Sequence, residues 1–121
     1  MYDFLAGLKI LVVEDDAIIS MATELMLADC GCNAIAFACS VQEALAAIEA
    51  QRFDAVLLDL NLNGTLSDPV AAILKRQGVP FIVSSGYAPR TGGEASGAPT
   101  LPKPYMLGDL VVAFKRLLGN A

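Results

Sequence analysis

The 121-residue chain has no histidine. That absence removes a Ser-His triad, a histidine general base and any phosphohistidine formed on this chain. The remaining chemistry belongs to carboxylates, hydroxyls, lysine or a metal. Cysteine is scarce: Cys30, Cys32 and Cys39 are odd in number, and Cys30-Gly31-Cys32 is too tight for an ordinary disulfide, so a reducing compartment is expected. Without histidine or paired cysteines at finger-like spacing there is no zinc site to expect, and the cysteines read as small buried apolar side chains. Basic residues are few, 8 against 13 acidic, and the net charge of −5 argues against non-specific nucleic-acid binding, which needs clustered Lys and Arg. A protein partner is expected instead. No apolar run approaches the roughly 18 residues that would span a bilayer. The start, Met1 to Leu8, carries Asp3 and no basic, long apolar leader, from which a cytoplasmic location is expected.

What the chain does have is a set of short apolar runs, each followed at once by a reactive side chain. Glu14-Asp15-Asp16 follow Ile10 to Val13, Asp59 follows Ala55 to Leu58, Ser84-Ser85 follow Phe81 to Val83, and Lys103 follows Thr100-Leu101-Pro102. If the runs are parallel strands of one sheet, these groups meet at its carboxyl edge, where open α/β sheets bind ligands.

Periodicity supports that arrangement. Lys9–Val13, Asn33–Phe37, Phe53–Leu58 and Val79–Ser84 read as strands, with a fifth at Thr100-Leu101. Between them, Ile18, Ile19, Ala22, Leu25 and Met26 recur at helical spacing until Gly31. Ser40-Val41-Gln42-Glu43 has the form of a capping box ahead of a stripe of Val41, Ala44, Leu45 and Ile48. Asp68-Pro69 predicts an N-cap and a first-turn proline for a helix that Gly78 closes. Tyr87 to Ala98 holds three glycines and a proline, so a fourth helix there should be short or frayed, whereas Leu107, Leu110, Val111, Phe114, Leu117 and Leu118 define a strong final helix. About 120 residues make one domain, able to bury a core without staples. The expectation is a flavodoxin-like, doubly wound α/β domain with a five-stranded parallel sheet in the order 2-1-3-4-5 and helices on both faces. That order makes Asp15 and Asp59 neighbours.

Carboxylates gathered so closely repel unless a hard cation compensates them. Magnesium suits oxygen ligands, keeps several waters and commonly binds together with phosphate. With Asp15 and Asp59 holding the metal, Lys103 and a serine hydroxyl would meet a phosphoryl group's other oxygens, and Asp59, alone at a strand end, would be the nucleophile. A plainer reading of Glu14-Asp15-Asp16 is favourable charge at a helix N-terminus, and of Lys103 a surface lysine. Their joint placement favours the site.

Four fragments in order, Ile10-Leu11-Val12-Val13-Glu14-Asp15-Asp16, Val56-Leu57-Leu58-Asp59-Leu60-Asn61, Val79 to Tyr87, and Lys103-Pro104-Tyr105, resemble the receiver domain of bacterial two-component response regulators over essentially the whole chain. The resemblance implies that Asp59 accepts a phosphoryl group from a phosphohistidine on a sensor histidine kinase or histidine phosphotransfer protein. It implies Asp15 as a direct magnesium ligand, Glu14 acting largely through water, and the backbone carbonyl of Asn61 as a further ligand. Lys103 matches the phosphate-binding lysine, and Lys103-Pro104 a peptide bond that is cis in the family. Counting from Pro80, with a small residue required next, aligns Ser85 with the switch hydroxyl; Ser84 is the alternative.

Two departures stand out. Thr100 occupies the position where the family often has Tyr or Phe, and the segment after Asp59 lacks a common proline. With Ser85-Gly86-Tyr87 and Pro102-Lys103-Pro104-Tyr105, this suggests a divergent subgroup that includes stand-alone and stress-signalling receivers. Two rivals remain: a receiver-like scaffold that never accepts phosphate, and a haloacid-dehalogenase-like phosphatase, whose second aspartate is replaced here by Asn61. With Gly119 to Ala121 alone after the last helix, no output domain is expected, and the receiver should act through partners, by passing the phosphoryl group on, draining it as a sink or docking on a downstream protein target.

Overall fold

A computed structural model describes residues 3–85 and 98–119. Five parallel strands form one sheet: β1 (Lys9–Val13), β2 (Ala34–Ala38), β3 (Ala55–Asp59), β6 (Phe81–Ser85) and β7 (Thr100–Pro102). Their order, β2-β1-β3-β6-β7, is the expected 2-1-3-4-5 once a small hairpin, β4 (Asn61–Leu62) and β5 (Thr65–Leu66), is counted separately. The expected fourth helix, Tyr87 to Ala98, lies almost wholly outside the described residues.

Because successive strand side chains point to opposite faces, the central strands β1, β3 and β6 each feed two cores. Leu11, Val13, Val56, Leu58 and Val83 pack with α2 (Val41–Ala50) and α3 (Asp68–Gln77). Ile10, Val12, Leu57, Ile82 and Leu101 face α1 (Ala17–Asp29) and α4 (Leu107–Leu117), whose Leu110 and Phe114 are fully buried. Both faces of the central strands are covered, which is why they read as continuous apolar runs.

Helix ends follow local chemistry, with two adjustments. Ser40 caps α2 by accepting the Glu43 N–H, but the Glu43 carboxylate accepts from Cys39 N–H rather than closing a box on Ser40. Helix α3 begins one residue earlier than expected: Ser67 is the N-cap, Asp68 the first helical residue and Pro69 the second. The Ser67 hydroxyl is fully buried and finds no partner among the described residues. Gly78 ends α3 at φ 72°, a left-handed conformation that glycine adopts without penalty.

Helix α1 departs most from its periodicity. Ile18, Met21 and Leu25 are exposed, whereas Leu27 and the polar Thr23 are buried. The helix is apolar nearly all round, so the pattern alone does not select its inner face. Thr23 is tolerated inside because its hydroxyl donates to the Ile19 carbonyl at 2.8 Å and lies 2.6 Å from the Tyr105 hydroxyl.

Candidate functional site

The carboxyl edge of β1, β3, β6 and β7 opens into a cleft of about 560 Å³. Glu14, Asp15, Asp59, Asn61, Ser85 and Lys103 all line it. Glu14 and Asp59 are buried, at 5% and 4% exposure, and Asp15 is half-buried. One oxygen from each lies within 4.8 Å of the others. Lys103 Nζ is held between two of them, 2.8 Å from Glu14 Oε1 and 2.9 Å from Asp59 Oδ2. The Lys103-Pro104 peptide is cis.

Backbone groups orient the carboxylates. Asp16 N–H donates to Glu14 Oε2 at 3.1 Å, and Asn61 N–H to Asp59 Oδ1 at 3.2 Å. The third acid of the run serves the helix instead. Asp16 caps α1, its Oδ1 accepting from Ile18 and Ile19 N–H. Ser84 pairs in register with Asp59 but is buried, whereas the half-exposed Ser85 reaches the cleft. Thr100 is exposed on β7.

Burial dominates the electrostatics of Glu14. It pushes the carboxyl from 4.5 up to about 7 and Asp59 adds to the rise, although hydrogen bonds from Lys103 and Asp16 oppose it. Burial works against the Lys103 ammonium as well, but its bonds to Glu14 and Asp59 prevail and raise its pKa. An oxygen-only donor set with three clustered acids fits a hard divalent cation.

Sequence reasoning missed the hairpin that forms one wall. Asn61 pairs with Leu66 and Leu62 with Thr65, leaving Asn63-Gly64 as a two-residue turn with φ 54° and 87°. Positive φ at both positions is the hairpin turn that Asn-Gly favours, so the dipeptide was the available signal. The Asn63 N–H donates to Asp15 Oδ2 at 2.8 Å.

The response regulator receiver domain family matches residues 10–114. The chain belongs to that family. Among solved structures, this receiver is similar to SdrG from Sphingomonas melonis Fr1, at 31% identity and TM-score 0.75 over 92% of this chain and 96% of that one. The PhyR stress response regulator shares 26% identity at TM-score 0.81, over 96% of this chain and 46% of that one. The receiver domain of sensor histidine kinase PA1611 from Pseudomonas aeruginosa PAO1, which has a magnesium ion coordinated in its active-site cleft, shares 25% identity at TM-score 0.81, over 95% of this chain and all of that one. A comparison with curated proteins finds no match. Family and fold together place the receiver in phosphorelay signalling, and favour neither the phosphatase nor the non-phosphorylated scaffold. Among the described residues, no helix is long and apolar enough to cross a membrane.

Proposed function

We propose that this receiver takes a phosphoryl group onto Asp59 from a phosphohistidine of a sensor histidine kinase or histidine phosphotransfer protein. The observation that carries the reading is the Lys103 ammonium held between the buried Asp59 and Glu14 carboxylates, with Asp15 beside them. A carboxylate oxygen of Asp59 forms the bond to phosphorus while the phosphorus–nitrogen bond of the donor breaks, its electron pair staying with the leaving imidazole. Glu14, Asp15, Asp59 and the Asn61 carbonyl would hold magnesium, which when bound supplies compensation for the charge that the acids and the phosphoryl oxygens bring together. Lys103 is within reach to leave the Asp59 carboxylate for a phosphoryl oxygen, and the Ser85 hydroxyl to donate to another. The domain then acts through protein partners in the cytoplasm, without nucleic-acid contact.

The test is labelling with acetyl phosphate. The label should appear with magnesium, be released by hydroxylamine as an acyl phosphate is, and vanish in Asp59→Asn. Labelling that survives that substitution, or proceeds equally in a chelator, would overturn the assignment.

A further inference from the structure

The three carboxylates of the cleft are anchored in two ways. Glu14 and Asp59 each accept an N–H from two residues further along the chain, so their orientation is built into the strand ends. Lys103 holds the same two from the other side. Asp15 instead takes its N–H from Asn63, 48 residues away at the tip of the β4–β5 hairpin. Its direction depends on the shape of that hairpin.

The hairpin's shape depends in turn on Asn61. Its side-chain Oδ1 accepts the Gly64 N–H at 2.7 Å across the turn. This draws Gly64 into the left-handed conformation and leaves the Asn63 N–H aimed at Asp15. We propose that the Asn61 side chain is a positioning group for the cation site: by closing the Asn63-Gly64 turn it holds Asp15 Oδ2 and so fixes where the other Asp15 oxygen points. The inference rests on the cleft binding a divalent cation. It is separate from the carbonyl role of Asn61, which any side chain would permit.

Magnesium demands near-octahedral placement of its ligands, whereas calcium accepts flexible geometry. A loosened Asp15 therefore weakens magnesium more than calcium and lowers the selectivity of the site. The experiment is calorimetric titration of the wild type, Asn61→Ala, Gly64→Val and Gly64→Asn with each ion, alongside the exchange rate of the Asn63 amide proton. A Cβ at Gly64 meets nothing within 4 Å, so substitution there acts through the backbone at φ 87° and not through a clash. Any side chain is strained there, asparagine much less than the β-branched valine.

Asn61→Ala and Gly64→Val should weaken magnesium about 10-fold or more, the usual cost of losing a group that orients a ligand, with calcium changing less than about threefold. Both should expose the Asn63 amide to exchange, and Gly64→Asn should keep magnesium binding and protection together closer to the wild type than Gly64→Val does. Wild-type affinity in Asn61→Ala and Gly64→Val, or tighter magnesium binding in either, would overturn the positioning role. Loss of both ions in equal measure would do so as well. A wild type that binds no magnesium would instead overturn the reading of the cleft.

Discussion

At Glu14 burial and ion pairing pull in opposite directions, and burial prevails: its carboxyl titrates near 7 instead of 4.5. Between those values the folded, metal-free protein holds a proton that the unfolded chain has released. Its stability therefore falls as the pH rises through that window. Lys103, with a raised pKa, stays charged throughout and does not contribute to this slope. A divalent cation requires the ionised carboxylate, so apparent magnesium affinity should climb as the pH rises towards about 7 and level off above it. Calorimetric titration across that range checks it, and Glu14→Gln should flatten the climb. A pH-independent wild type would show that the Glu14 proton does not compete with the metal. The exposed Cys39 shows the opposite balance, for there the hydrogen bond from its thiol to Glu43 and the charge of that carboxylate, not burial, lead the rise in its pKa.

Helix α1 and the turn that follows β7 are tied by one buried polar contact, Thr23 with Tyr105. The Thr23 proton is engaged with the Ile19 carbonyl, so the Tyr105 hydroxyl is the donor between the two side chains. The substitutions are not equivalent. Tyr105→Phe leaves Thr23 bonded to Ile19 and should cost about 1 kcal/mol, whereas Thr23→Val strands a buried phenol and should cost about 1–3 kcal/mol. Urea unfolding of both variants measures the difference, and a costlier Tyr105→Phe would reverse the assignment of donor and acceptor. The contact lies close to the site, because Tyr105 is two residues beyond Lys103.

Across the whole molecule, the cleft concentrates acidic charge in a chain that is already net −5. Lys103 is the internal counterweight, and removing it leaves Glu14 and Asp59 opposed without an ammonium. Lys103→Ala should therefore be less stable than the wild type without metal, yet bind magnesium at least as tightly. Ligand linkage contributes about 2.7 kcal/mol at a hundred times the dissociation constant. The rise in melting temperature on adding a fixed magnesium concentration should accordingly be at least as large in the variant. A smaller rise than in the wild type would mean that Lys103 supports the metal site and does not compete with it.

The strands, the placement of Glu14, Asp15, Asp59 and Lys103 at their ends, and the closure of α3 at Gly78 were legible in the sequence alone, because apolar runs and helix stops are short-range properties. The sequence also carried the Asn-Gly signal of the hairpin, in a segment whose composition otherwise suggests only a loop after Asp59. The inner face of α1 was set by tertiary contacts: with apolar residues nearly all round, the helix turns Thr23 inward, where its hydroxyl meets Tyr105, 82 residues away. The same holds within the cleft. Composition brings acids together, but which oxygen meets Lys103 and which meets the Asn63 N–H is decided by contacts 44 and 48 residues apart. No local pattern encodes such contacts, because they exist only once the parallel strands have aligned and the hairpin has closed over their edge.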